Sequence, residues 1–301
     1  MLAFRATARL ARALGPTYGA RLQEMILRVT MASAALGVTR PVRFAGNELF
    51  GRRQVGAYRL RRSGARIFVR HPMADAWVVH EVLNRGVYRP PGHVLDLLAS
   101  RERPLRIVDL GAHVGSTALM MLELFPDAHV TAFEPSPGTA ALLRRTIAAN
   151  GLGAQCEVCE VAAGAAPGSA QIEGYSLLSH LVRQGEETEM TDVFPFLHKF
   201  QDDSGGPRPV EVVDVLPVLG DADLVKIDIE GAEWDILSDP RLAELPIAAM
   251  VLEYHPQGSP TDDAFADVRS LLGAAGFEVG EPFDVHDGVG VVWAWREDDV
   301  R

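Results

Sequence analysis

The chain has little cysteine, almost no lysine and no long apolar run, and each shortage excludes something. Two cysteines, Cys156 and Cys159, cannot build a disulfide framework, which fits a reducing cytoplasm. Their CxxC spacing falls in a predicted strand, QCEVCEV, where residues three apart face opposite ways at roughly 10 Å, too far to bridge. Both are expected to be core-type side chains. The apolar runs are too short and too interrupted to span a bilayer. Only Lys199 and Lys226 represent lysine among many Arg and Ala, a composition that fits a GC-rich bacterial coding bias.

Acidic residues are scarce at the front. Residues 1–70 hold fourteen arginines against Glu24 and Glu48, a balance of +12, and residues 71–301 carry −23. An acidic body argues against nucleic acid as the partner, because phosphate binding needs clustered cations. Over residues 1–30, Arg5, Arg9, Arg12, Arg21 and Arg28 alternate with Leu2, Phe4, Leu10, Leu14, Ile26 and Leu27, as in amphipathic helices. Two readings stand: peripheral contact with an anionic inner-membrane surface, or packing on the acidic body or on a twin subunit in a homo-oligomer.

What is present is a change of rhythm at Leu105. Before it, VGAYRLRRSGARIFVRHP reads as two strands joined at Ser63-Gly64. DAWVVHEVLNRG reads as a helix with Asp75 as N-cap and Gly86 as stop, and HVLDLLASR as another. After it, strands and helices alternate: RIVDLGA, STALMMLELF, HVTAFEP, PGTAALLRRTIAANG, CEVCEVAAG, ADLVKIDIEG, IAAMVLEYHP and DDAFADVRSLLGAAG, the last with Thr261 or Asp262 as cap. GFEVGEPFD and GVGVVWAWRE close the chain as a hairpin. Such alternation implies an α/β, doubly wound, mostly parallel sheet with an antiparallel terminal hairpin. Residues 1–104 form an extension to the domain 105–301. A polar stretch, 183–209 within an insertion at 170–209, reads as a lid or as a surface insertion.

Ligands of doubly wound sheets bind beyond the carboxyl ends of the strands. The first strand ends in Asp109, Gly111, His113 and Gly115, and the second in Glu134, placed to accept hydrogen bonds from a ribose diol. A nicotinamide dinucleotide needs GxGxxG, but His113 occupies the middle glycine, and neither lysine follows a tyrosine by four as a short-chain dehydrogenase requires. DxGxxxG with a later Glu suits S-adenosylmethionine, which has a ribose and a sulfonium cation and no pyrophosphate.

Taken in order, VDLGAHVGSTAL, TAFEPSPGTAALLRRTIAANGL, EVVDVLPVL, LVKIDIEGAEWDIL and VLEYHP resemble the FkbM family of S-adenosylmethionine-dependent methyltransferases over residues 55–297. The resemblance implies a seven-stranded class I methyltransferase fold, Rossmann-like, and methylation of a hydroxyl on a sugar, glycolipid, polysaccharide or polyketide-type product. It assigns Asp109, Gly111 and Gly115 to the first cofactor loop, Glu134 and Pro135 to the ribose, and Glu160 and Val161 to the adenine. His113 stands for the family's usual Asn and Val213 for its usual Thr before Asp214; neither change removes a carboxylate.

An alcohol needs a base beside it at neutral pH. Asp228 and Glu230 are expected on one strand face, as are Glu253 and His255. Asp228 is the first candidate for chemistry as well as a cofactor contact, His255 the second because its ordinary pKa is near neutral, and Glu230 the third. Glu253 and His180 are assigned to substrate contact. Glu233 reads as a first-turn helix acid with Lys226 as a partner. Asp228, Glu230, Glu253 and His255 have the mixed oxygen and imidazole donors that a divalent metal accepts, but no fixed ligand spacing demands one, and no metal is assigned. The alternatives are a non-catalytic scaffold that keeps the fold and, further off, a dehydrogenase.

Overall fold

Continuous apolar strands need cover on both faces, and the chain supplies it with helices between them. In the computed structural model, which describes residues 25–26, 28–29, 32–50, 54–71, 75–173, 180–182, 208–286 and 288–296, five such strands run parallel. They are β3 (Arg106–Leu110), β4 (His129–Phe133), β5 (Cys156–Cys159), β10 (Leu224–Ile227) and β11 (Ala249–Tyr254). β14 (Val289–Trp295) lies antiparallel against β11, and both β12 (Glu278–Val279) and β13 (Phe283–His286) pair with β14. The order β12-β14-β11-β10-β3-β4-β5 gives the expected seven strands with an antiparallel terminal hairpin, and β13 is an eighth.

A second, four-stranded sheet has the order β6-β9-β7-β8: β6 (Ala162–Gly164), β7 (Gly168–Glu173), β8 (His180–Val182) and β9 (Arg208–Asp214). The expected third strand therefore splits. Its first half stays in the main sheet as β5, the chain breaks at Glu160-Val161, and its second half becomes β6. Residues 183–207, which carry most of the lid expectation, lie outside the described residues, as do residues 1–24 of the basic front segment.

The extension contributes α1 (Pro41–Phe50), a hairpin of β1 (Gln54–Arg59) and β2 (Arg66–His71) turned at Gly64, α2 (Asp75–Val79) and α3 (Gly92–Ala99). A π-helical turn, His80–Arg85, continues α2 and ends at Gly86 in the left-handed conformation, φ 70°. Asp75 opens this helix, but Arg70 takes its carboxylate. Within the domain come α4 (Ser116–Leu124), α5 (Pro137–Ala149), α6 (Leu216–Leu219), α7 (Glu233–Leu237) and α8 (Ala264–Ala274). The α8 cap is Asp263, which accepts from the Ala266 amide at 3.0 Å, rather than Thr261 or Asp262. Thr261 instead donates to Asp267.

The core has no gap at residue 104. Phe44, Tyr58, Ile67, Val69 and Val79 of the extension pack with Val114, Leu119 and Leu142 of the domain in one buried cluster. Val82, Tyr88, Val94 and Leu98 join the cluster beneath β3, β4 and β11. Cys156 is buried and Cys159 half-buried, both are free thiols, and burial pushes Cys156 up to about 12, an unreactive state.

Candidate active site

β10 sits at the middle of the sheet and is buried on both faces, including Lys226 at 1% exposure. Strand register sets Lys226 beside Asp109 on β3, so the two opposite charges meet in the core. The Lys226 Nζ lies 3.3 Å from Asp109 Oδ1 and 3.4 Å from Asp228 Oδ2, and donates to the carbonyls of Leu110 (3.1 Å) and Gly111 (2.6 Å). Burial works against the ammonium, yet Asp228 and Asp109 outweigh it and hold its pKa above the usual value. This ammonium ties β10 to the β3 loop; the expected pairing with Glu233 does not occur.

The β3–α4 loop folds tightly over that contact. Gly111 and Gly115 take φ of 80° and 93°, and a Cβ on Gly111 would meet the Asp228 carbonyl oxygen at 1.8 Å. Between them His113 has φ 50°, a left-handed conformation that His and Asn tolerate better than most residues, which accounts for His in place of Asn. Its amide donates to Glu134 Oε2 at 3.0 Å, and the Ser136 amide donates to Glu134 Oε1 at 2.9 Å. Burial pushes Glu134 up to about 7 against those two bonds. The His113 Nε2 is 3.4 Å from Asp75, and burial pushes the ring down to about 4, so it is neutral near pH 7.

A cavity of about 210 Å³ opens at these strand ends. One wall carries Gly111, Ala112, His113, Glu134 and Pro135; Phe133, Ala162, Ala163 and Ile172 give it apolar surface. Trp77, Val78, Val82 and Tyr88 come from the extension, and Asp228, Glu230 and Glu253 close the far side.

That far side is a proton-sharing cluster. β10 ends at Ile227, and Glu230 then takes φ 54° in the turn completed by Gly231 at φ 95°, so Asp228 and Glu230 reach the cavity without sharing a strand face. Together with His113, Glu230 completes the pair of non-glycine residues with positive φ among the described residues, and both line the cavity. Such strain gathers where a site over-determines the backbone. The Tyr88 hydroxyl lies between Asp228 Oδ2 (3.0 Å) and Glu253 Oε2. Asp228 stays ionised: burial alone would raise it, but Lys226 and His255 lower its pKa. Burial first, then Asp228, pushes Glu253 up to about 7. The phenol donates towards ionised Asp228 when Glu253 holds its proton, and can turn to Glu253 when it does not.

His255 stands behind this wall, 7% exposed, and does not line the cavity. Glu233 Oε1 accepts from its amide (2.8 Å) and faces its Nδ1 (3.0 Å), while its Nε2 faces Glu230 Oε2 at 3.3 Å. Burial disfavours the imidazolium, but Glu230, Glu233 and Glu253 raise it to about 10. A charged ring cannot take a proton. Glu230 is pushed well up, by burial first and then by Asp228, Glu253 and Glu233, with His255 opposing. Glu233 is buried and also accepts from the Gly231 amide at 2.7 Å, so it orients His255 and pins the turn, a role beyond that of a helix-end acid.

Motif order, glycine loop and strand-end carboxylates meet their match in a family comparison: the Methyltransferase FkbM domain aligns with residues 109–279. The chain belongs to the FkbM methyltransferase family. It is therefore a methyltransferase that uses S-adenosylmethionine, which displaces the scaffold and dehydrogenase readings. Methyltransferase sdnD of Sordaria araneosa is 26% identical over 62% of this chain and 78% of its own length. Methyltransferase 1 of Beauveria bassiana is 25% identical over 58% of this chain and 72% of its own. Among solved structures, the FkbM methyltransferase of Methylobacillus flagellatus KT is 12% identical, with a TM-score of 0.42 over 88% of this chain and 58% of that one.

The residues fit that cofactor by their chemistry. Glu134 offers carboxylate oxygens beside an apolar floor, as a ribose and an adenine require. Of the sequence-predicted contacts, Gly111, His113, Glu134, Pro135 and Asp228 line the cavity; Asp109 and Gly115 shape the loop from behind. Glu160 and Val161 do not line it. Glu160 turns outward to Arg144, and Ala162 and Ala163, just past the switch of sheets, line the cavity. His180 pairs in register with Glu173 on the edge strand β8, and its side chain lies outside the described residues. The sequence reading missed Tyr88, Lys226 and Asp75. Tyr88 carried a faint signal, as an aromatic residue in the Gly-Val-Tyr-Arg-Pro turn before the domain begins.

Proposed function

We propose that this FkbM methyltransferase is an O-methyltransferase for a hydroxyl of a sugar, glycolipid, polysaccharide or polyketide-type metabolite, with Glu253 as the proton acceptor. One observation carries the reading: Glu253 is on the cavity wall, bonded through Tyr88 to ionised Asp228, with a pKa near neutrality. A base works best when its pKa is close to the working pH. The sequence reading favoured Asp228 and His255, but Lys226 holds the Asp228 pKa below its ordinary value, which makes it a weak base, and His255 is charged and off the wall. Asp228 keeps a fixed negative charge at the cavity, and His255 with Glu233 positions Glu230.

S-adenosylmethionine supplies, when bound, an activated methyl group on a sulfonium cation. Gly111, Ala112, His113 and Glu134 would hold it along the first wall. Trp77, Val78 and Val82 present an apolar face to the acceptor, so its hydroxyl would approach Glu253 with bulk water displaced. Glu253 would accept the proton that the hydroxyl gives up, and Tyr88 would stabilise the carboxylate beforehand by donating to it and the protonated acid afterwards by accepting from it while donating to Asp228. Positioning supplies much of the remaining rate.

The test incubates the protein with S-adenosylmethionine and a panel of hydroxylated glycans and polyketides, with mass spectrometry of the products. An O-methylated product is expected from the wild type, and Glu253→Gln is expected to lose about 100-fold or more in turnover with cofactor affinity nearly unchanged. Methylation at nitrogen or carbon alone, or full activity in Glu253→Gln, would refute the assignment. A second reading has one observation behind it. One ligand atom each from Asp228, Glu253 and His255 lies within 4.8 Å of the others, a spacing that a divalent ion can bridge. Turnover lost on chelation and restored by magnesium or manganese would favour that ion over Glu253 acting alone.

A further inference from the structure

Far from the carboxylates, the extension carries a second cavity, lined by Thr39, Arg40, Ala57, Tyr58, Arg59, Arg66 and Phe68. It has three guanidinium groups and no acid. Arg59 and Arg66 are direct cross-strand partners in the β1–β2 hairpin, and the Thr39 amide bonds the Arg59 carbonyl at 2.9 Å, which brings Arg40 alongside. Like charges directly opposite each other destabilise a hairpin. Among the described residues nothing relieves them: all three side chains are exposed, and none makes an ion pair there. Elsewhere surface arginines do find carboxylates, as Arg62 finds Glu123 and Arg106 finds Asp221.

On either side of Arg40 in the chain, apolar side chains are exposed. Leu36 is 75% exposed and Val42 85%, and they bracket Thr39-Arg40 in the chain; Phe50, at the other end of α1, is 86% exposed. Exposed cations next to protruding aliphatic groups are what the boundary between phosphate headgroups and acyl chains accommodates. An anionic small molecule would satisfy the arginines but leave the apolar residues wet. The charge division along the sequence points the same way: residues 1–70, which supply all three arginines, carry +12 and the rest −23.

We propose that the face formed by Arg40, Arg59 and Arg66 with Leu36 and Val42 docks the protein on an anionic lipid surface through its phosphate headgroups. The surface differs from residues 1–30, for which the sequence suggested a membrane contact, and it does not depend on which acceptor is methylated. Each arginine near an anionic bilayer is worth about a fivefold gain in partitioning.

The full chain is tested by co-sedimentation with vesicles of equal parts phosphatidylglycerol and phosphatidylcholine, against vesicles of phosphatidylcholine alone. Preferential binding to the anionic vesicles is expected, weakening with salt. The triple variant Arg40→Gln, Arg59→Gln, Arg66→Gln is expected to lose about a hundredfold in partitioning. Val42→Asp, which keeps every arginine, should lose at least several-fold, while S-adenosylmethionine affinity by calorimetry stays at the wild-type value in both variants and certifies the fold. Equal binding to the two vesicle types, or a triple variant that binds like the wild type, overturns the proposal. So does binding of inorganic phosphate that the triple variant loses, if the wild type ignores vesicles; that result assigns the arginines to a soluble phosphate.

Discussion

The Lys226 ammonium meets two carboxylates of different use. Asp109, fully buried, shapes the loop, and Asp228 faces the cavity. Removing one partner of a buried ion pair leaves the other charge uncompensated, at a cost of about 3–5 kcal/mol. Lys226→Met is therefore expected to lower unfolding stability by about that much in urea titration, and to weaken cofactor binding because Gly111 loses its donor. Unchanged stability would mean that the carboxylates are protonated in the native protein. The charge on Glu253 gives a pH signature of its own. Its raised pKa means that it holds a proton below about 7 and is ionised above, so turnover with bound cofactor should climb through that pH and then level off. The climb should vanish in Glu253→Gln. A residue such as Lys226 hides in the sequence because one lysine in an alternating strand reads as solvent-facing. Only the strand register, which sets it against Asp109, reveals a buried charge. Glu233 and His255 are hidden for the same kind of reason: they lie 22 residues apart and meet only because β10 and β11 are neighbours.

At the scale of elements, the site is made where strands stop. β3 and β10 end level with each other while β11 runs two residues further, and the two turns that follow β3 and β10 press on each other through Gly111 and the Asp228 carbonyl. Alanine at 111 meets two penalties: a left-handed backbone, about 1–2 kcal/mol, and an overlap that must push one turn off the other. Gly111→Ala is expected to abolish S-adenosylmethionine binding in calorimetry and to reduce the thermal midpoint, whereas Gly151→Ala, also left-handed but with open space around it, should reduce the midpoint only slightly. Equal loss in the two variants would show that backbone strain, and not the turn-on-turn contact, decides. The strands of the main sheet were legible because buried parallel strands are continuous apolar runs bounded by glycine, whereas β7, β8 and β9 of the second sheet were not read as strands. The switch of sheets at Glu160-Val161 was not legible, since CEVCEVAAG keeps one unbroken pattern across it. What divides that run is tertiary: β5 pairs with β4, and β6 pairs with β9, about fifty residues further along the chain.

For the whole molecule, the extension and the methyltransferase domain differ in secondary structure and in charge, yet they share their interior. Val114, Leu119 and Leu142 of the domain are buried against Phe44, Ile67 and Val79 of the extension, and the cavity takes Trp77 and Tyr88 from it. The asymmetry of charge is legible from the sequence alone; the shared core, which ties the extension to the domain, is not. A chain of residues 105–301 would expose those three side chains and leave Asp228 and Glu253 without the Tyr88 hydroxyl. Burying a large aliphatic side chain is worth about 1.5–3 kcal/mol, and a domain has only about 5–15 kcal/mol of net stability to lose. Residues 105–301 are therefore expected to aggregate or to unfold without a cooperative transition in urea, and to show no S-adenosylmethionine binding by calorimetry. Residues 25–301 retain the shared cluster of the described residues, with Arg28 against the Glu48 and Leu49 carbonyls, and should unfold cooperatively with cofactor affinity within a few-fold of the full chain. Should the shorter fragment bind the cofactor as tightly as the longer one, the extension would be an addition to a finished domain, and the walls that Trp77 and Tyr88 provide would serve the acceptor alone.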